Sequence, residues 1–165
     1  MAQTIHFVRD AKALKKRTLL LDANVLPLFF DEDARAAAAA KGHLPQYNRD
    51  PRCDAVKAAF RGRLFASWAT ALECVRFADC SAAAAKTVLE LVTNTVTIEE
   101  RGPAEVNRAM RDLYLGNAYK FPEAELWGAL DIFTATVAIR FGHVVLTRDM
   151  PDFDKIPRVE YLVGW

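Results

Sequence analysis

Thr18-Leu19-Leu20-Leu21-Asp22-Ala23-Asn24-Val25-Leu26-Pro27-Leu28-Phe29-Phe30 contains a single charged residue, Asp22. The apolar run Leu19–Leu21 reads as a buried strand, and Asp22 stands where that strand hands over to a helical stretch, Val25–Ala40. The same pattern recurs further along. Val96–Ile98 and Val144–Leu146 are short runs rich in β-branched residues, which favour extended structure. Leu64–Ser67 and Val159–Val163 are weaker strand candidates. Between them lie helical stretches over Cys53–Arg61, Ala71–Ala78, Ala82–Val92, Pro103–Leu115 and Glu125–Phe141. Pro103 suits a first helical turn, where it has no N–H to lose, and Gly142 suits a helix C-terminus that needs a left-handed residue. Strands alternating with helices predict an α/β fold of three layers, a mainly parallel central sheet flanked by helices. Lys41–Arg52, with Gly42, Pro45 and Pro51, is expected to be a loop.

The chain has 165 residues, a length that fits one domain over 1–165. Residues 1–17, with Lys12, Lys15, Lys16 and Arg17, read as a basic extension ahead of the first strand. No apolar run approaches the ~18 residues a membrane span needs, and Leu19–Leu21 is too short for a signal-peptide core. Three cysteines without ligand spacing point to reduced thiols and a cytoplasmic location. A net charge of +1 excludes a protein that grips nucleic acid by bulk charge, and leaves room for a local basic surface. Neither a phosphate-binding G-x-x-x-x-G-K-[ST] loop nor a G-x-S-x-G elbow is present.

The missing charges are more informative than those present. Glu73 is the only charged residue between Leu64 and Val75, and Asp131 the only one between Leu126 and Ile139. Burying an unpaired carboxylate costs several kcal/mol or holds it protonated, so something must compensate. Each acid has an ordinary explanation. Asp22 could cap a helix, Thr70-Ala71-Leu72-Glu73 is a good capping box, and Asp131 could meet an arginine from elsewhere in the fold. Asp131 resists this most, because it falls inside a helix.

Taken together, the acids point elsewhere. In an open parallel sheet, ligands bind beyond the carboxyl ends of the strands. Asp22 follows Leu19–Leu21, Asp149 follows Val144–Leu146, and Glu73 lies in the helix after Leu64–Ser67. Asp131 sits on the helix leading into the last strand but one. Carboxylates that converge repel one another unless cations sit among them, and all-oxygen ligands suit Mg²⁺ or Mn²⁺. Paired ions of this kind activate a water and stabilise the leaving oxygen in phosphodiester cleavage.

The motifs that carry these acids resemble those of the PIN-domain ribonucleases. Leu20-Leu21-Asp22-Ala23-Asn24-Val25-Leu26 is similar to the first motif and Thr70-Ala71-Leu72-Glu73 to the second. Asp131-Ile132-Phe133-Thr134-Ala135-Thr136-Val137-Ala138 resembles the third, and Leu146-Thr147-Arg148-Asp149-Met150-Pro151-Asp152-Phe153 the fourth. Order and spacing agree from about Thr18 to Val163. The resemblance implies a Mg²⁺- or Mn²⁺-dependent endoribonuclease with Asp22, Glu73, Asp131 and Asp149 as catalytic, metal-holding acids. Asn24 and Thr147 would support them. It further implies an RNA substrate, a homodimer and, as in VapC-type toxins, a cognate antitoxin that blocks the site. The enlarged Lys41–Arg52 loop and residues 1–17 depart from the compact toxin pattern.

Two other functions fit the same residues: an RNA-processing nuclease without an antitoxin, and a binding module that holds a metal or a partner's arginine without turnover. Arg49, Arg52, Arg61 and Arg63 are candidates for positioning RNA. Arg148 could touch substrate or neutralise a neighbouring carboxylate, while Asp152 is read first as a cap. The cluster Lys12–Arg17 could contact phosphates or simply be solvated. His6, His43 and His143 are read as surface or packing residues, and Trp68 and Trp127 as core. Phe29 and Phe30, with Val25 and Leu28, are either core or an apolar face for a partner.

Overall fold

A computed structural model describes residues 1–76, 81–101, 104, 106 and 126–165. Six strands form one sheet, in chain order β1 (Gln3–His6), β2 (Thr18–Leu21), β3 (Leu64–Ala66), β4 (Thr97–Ile98), β5 (His143–Leu146) and β6 (Glu160–Val163). Their spatial order is β1-β6-β5-β2-β3-β4, and every pairing is parallel. β2 and β5 sit at the centre, with Thr18 opposite His143 and Leu21 opposite Leu146. Both strands are almost wholly buried, as expected for parallel strands covered on two faces.

Among the described residues the α-helices with assigned bounds are α1 (Ala11–Leu14), α2 (Glu32–Ala40), α3 (Arg52–Ala59), α4 (Trp68–Arg76), α5 (Ala82–Thr95), α6 (Leu126–Phe141) and α7 (Met150–Asp154). Alternation along β2 divides the core. Leu19 and Leu21 pack on one face with Val56 of α3 and Val88 and Val92 of α5. Leu20 packs on the other, with Ile132, Ala135 and Ala138 of α6 and Phe153 of α7. The result is the three-layer α/β arrangement expected from the sequence. Gly142, at φ +73°, ends α6 and lets the chain turn directly into β5.

Three expectations are corrected. Residues 1–17 do not all precede the first strand, because Gln3–His6 pairs with β6 as an edge strand. The helix read over Val25–Ala40 is broken into a 3₁₀ turn, Leu26–Phe29, and α2. Asp31 accepts the Ala34 N–H at 3.0 Å and starts a separate helix. Trp68 is exposed rather than core. Val25, Leu28, Phe29 and Phe30 are all buried, which decides the core reading for them. The helix expected over Pro103–Leu115 lies outside the described residues except at Ala104 and Val106, as does the side chain of Trp127.

Candidate active site

Asp22 leaves the carboxyl end of β2 with its backbone N–H donated to Leu146 O at 3.0 Å, so it is fixed between the two central strands. The side chain is buried. Its Oδ1 accepts the Ala23 N–H at 2.8 Å and its Oδ2 accepts the Thr147 hydroxyl at 2.8 Å. The next turn is capped by the backbone instead, Val25 and Leu26 both donating to Asp22 O. Capping therefore does not account for this carboxylate.

Thr147 is the hub. Its Oγ1 also accepts the Asp149 N–H at 2.9 Å and the Asn24 amide Nδ2 at 3.1 Å, while Asn24 Oδ1 accepts the Arg148 N–H at 3.1 Å. One hydroxyl thus orients Asp22 and the start of the Asp149 turn together. Asp149 precedes α7 but makes no side-chain cap bond, and its carboxyl meets that of Asp152.

Glu73 and Asp131 are brought to the same place by the contact of α4 with α6. Ser67 Oγ accepts the Thr70 N–H at 3.0 Å and lies 3.0 Å from Thr70 Oγ1 and 3.3 Å from Thr134 Oγ1. These buried hydroxyls lock one helix to the other, a turn away from Glu73 on α4 and from Asp131 on α6. Ser67, not Thr70, therefore begins α4, which corrects the capping-box reading.

The charges report the convergence. Burial, and then the fields of Asp149 and Asp152, push the Asp22 carboxyl up to about 6 against the opposing pull of its hydrogen bonds. Burial and then the charges of Asp22, Asp152, Glu73 and Asp149 push Asp131 up to about 8. Asp149 is raised by burial and by Asp152. Among the described residues, no arginine or lysine pairs with Asp22 or Asp131. Asp152, read from sequence first as a cap, belongs to the same field and also pairs with Lys155 at 3.1 Å.

Among the described residues, no three His, Cys, Asp or Glu side chains stand close enough to hold a metal ion as placed. The carboxylates share a field rather than a finished coordination sphere. Their chemistry fits a hard divalent cation nonetheless: the donors are oxygens, and the repulsion that raises Asp22 and Asp131 is what such a charge relieves.

The arginines separate into two groups. Arg148 and Arg52 both reach Asp50, so Arg148 does not neutralise Asp149. Arg49 is engaged by Asp54 at 2.9 Å. Arg61 and Arg63 precede β3, at the sheet edge opposite the acids. Arg63 Nη1 donates to the carbonyls of Leu14, Lys15 and Arg17 at 3.0, 2.7 and 2.7 Å, a structural clasp. Lys15 and Arg17, whose carbonyls hold Arg63, lie at that same far edge. His143 is buried and paired with Glu99 at 2.9 Å. Nothing in the sequence marked Asp50 or the Glu99–His143 pair, because their partners are distant along the chain.

No family model matches the sequence, and no curated protein matches it. Solved structures do. The DNA-bound VapBC of Salmonella typhimurium aligns with a TM-score of 0.60 at 18% identity, over 88% of this chain and 96% of that one. VapBC2 of Rickettsia felis, bound to a DNA fragment from its promoter, aligns with a TM-score of 0.60 at 15% identity, over 90% and 98%. A toxin–antitoxin complex from Klebsiella pneumoniae aligns with a TM-score of 0.52 at 18% identity, over 86% and 95%. The chain has the PIN-like α/β fold.

Proposed function

We propose that this PIN-fold chain is a divalent-metal-dependent endoribonuclease and the toxin of a toxin–antitoxin pair. The observation that carries the nuclease reading is the shared field at the carboxyl edge of the sheet. Asp22 and Asp131 are held there with no basic partner among the described residues, and each is raised by burial and by neighbouring carboxylates. Folding concentrates like charge only against a cost, and a site that binds a cation recovers it. The toxin role is supported by the fold, which is shared with proteins solved as VapBC and toxin–antitoxin complexes.

Asp22, Glu73, Asp131 and Asp149 would hold Mg²⁺ or Mn²⁺, whose chemistry is to activate water and to neutralise charge developing on the phosphate. Thr147 fixes the oxygen of Asp22 that faces it, and Asn24 holds Thr147 and the Arg148 backbone in register. Glu73 and Asp131 keep their separation because the Ser67, Thr70 and Thr134 hydroxyls tie their helices together. His143 is not placed to act as a base, since it is occupied by Glu99 and Thr18.

The test is cleavage of a mixed single-stranded RNA pool by the purified chain with Mg²⁺, with Mn²⁺ and with EDTA, beside Asp131→Asn. Cutting that needs the metal and is absent from the variant is the expected result. A folded protein that cuts under none of these conditions removes the nuclease reading and leaves the binding module.

A further inference from the structure

The acidic edge poses an electrostatic problem for a polyanionic substrate, because Asp22, Glu73, Asp131, Asp149 and Asp152 all repel it. Among the described residues, Lys15, Arg17, Arg61 and Arg63 are of no help, since they lie at the opposite edge, before β2 and β3. A cationic pair on the acidic side is built around Asp50, in the loop between α2 and α3. Its side chain is only 9% exposed. Its Oδ2 accepts Nη2 of Arg52 at 2.6 Å and Nη2 of Arg148 at 2.6 Å. Two nitrogens that meet one oxygen at those distances lie within about 5 Å of each other, a gap that one phosphate group can bridge.

Both guanidinium groups are fixed and yet open. Arg52 is held again by Nε on Asp50 Oδ1 at 2.9 Å, and its guanidinium lies 5.1 Å from the centre of the Trp165 ring. Arg148 is held from behind by its own N–H on Asn24. The side chains remain 56% and 44% exposed. Nη1 of Arg52, and Nε and Nη1 of Arg148, have no protein acceptor among the described residues. A hydrogen-bond path joins this pair to the acids: Arg148 to Asn24, Asn24 to Thr147, Thr147 to Asp22.

We propose that Arg148 and Arg52, gathered on Asp50, form a phosphate-binding fork that grips a backbone phosphate of the RNA next to the one presented to the acids, with Asp50 as the positioning residue. The inference rests on the nuclease reading. The planar guanidinium offers a phosphate paired donors that lysine cannot, and fixing it beforehand lowers the entropy lost on binding.

The experiment measures binding of a fluorescein-labelled 20-nucleotide single-stranded RNA to the full chain in EDTA across a salt series, with cleavage in Mn²⁺ scored separately. Arg148→Gln and Arg52→Gln are each expected to weaken binding roughly tenfold, and the double variant to flatten the slope of log affinity against log salt by about 0.7. Asp50→Asn keeps both cations, so it is expected to keep the slope while raising KM several-fold with kcat little changed; Asp50→Glu is expected to restore part of the loss. Wild-type affinity and slope in the arginine variants overturn the fork, as does a wild-type chain that does not bind the RNA. Arginine-dependent binding without cleavage keeps the fork and removes the nuclease. Cleavage indifferent to both arginines does the reverse.

Discussion

Thr147 has one hydroxyl proton and gives it to Asp22, while its oxygen lone pairs receive the Asp149 N–H and the Asn24 amide. Thr147→Val preserves the shape and removes all of these bonds. An unmade bond to a buried group costs about 1–3 kcal/mol, so an unfolding free energy from urea titration lowered by that amount is expected. The cleavage rate is expected to fall ~10–100-fold, as it does when a group that orients a metal ligand is lost, and Thr147→Ser should recover most of it. A valine variant that cuts at the wild-type rate would detach Thr147 from the site. Asp131→Asn behaves oppositely in stability, because it removes a repelled charge: cleavage is lost while the melting temperature in EDTA holds or rises. At this scale the acids were legible because each is a single charge in an apolar run. Thr147 and Asn24 were legible only through motif resemblance. Asp50 was not, since a carboxylate in a polar loop gives no sign that folding will bury it against Arg148, 98 positions away.

Helix α4 carries Glu73, and its first turn decides where that residue points. Ser67 supplies the cap, and its hydroxyl also meets Thr134 on α6, so Ser67→Ala loses both a cap and an interhelix contact. About 1 kcal/mol is expected from the cap and a similar amount from the buried hydroxyls, together a fall of ~4–8 °C in melting temperature for a chain of this size. Because α4 and α6 each carry an acid, kcat should fall as well, and a variant that loses stability alone would show that this lock does not set the site. The sequence pattern placed the cap three residues late, since Thr70-Ala71-Leu72-Glu73 satisfies the capping-box rule and Ser67 only wins once β3 has fixed where the helix can begin. Strand β1 escaped notice for a related reason. Gln3-Thr4-Ile5-His6 buries only Ile5 fully, and an edge strand with one apolar position looks like a polar tail until β6 is there to pair with it. The central strands needed no such partner to be recognised, because burial on both faces makes the whole run apolar.

Across the whole molecule, two buried polar groups titrate with opposite sign, and together they set how stability depends on pH. Thr18 Oγ1 lies 2.6 Å from His143 Nδ1, and Glu99 accepts from His143 Nε2 at 2.9 Å, so the network reaches from β5 and β2 to the residue that follows β4. Arg101, hydrogen-bonded to the Glu99 carboxylate, and the buried ring of His143 hold that carboxyl down to about 2. Burial lowers His143 too, against the raising pull of Glu99 and with Arg101 and Arg17 adding to the fall. For both groups the unfolded chain binds protons more readily, so their stabilisation is complete at neutral pH. It is lost as pH falls, first past the ordinary histidine value and then from the ordinary glutamate range toward about 2. Asp131 and Asp22 do the reverse. With folded values near 8 and 6, the native state binds more protons than the unfolded chain, and in EDTA stability declines as pH climbs from about 4 toward 8. The metal-free chain should therefore be most stable at mildly acidic pH and lose melting temperature on both sides. Glu99→Gln is expected to lie below wild type at pH 7 and to approach it as pH falls to 3, flattening the acid limb. Asp131→Asn is expected to flatten the alkaline limb, and Mn²⁺ added to wild type should flatten the same limb by holding the carboxylates ionised. Melting curves from pH 3 to 9 in EDTA decide this. If wild type and Glu99→Gln run parallel throughout, the His143 network contributes packing and no linkage. If Asp131→Asn follows wild type on the alkaline side, the acids do not share the field from which the nuclease reading is drawn.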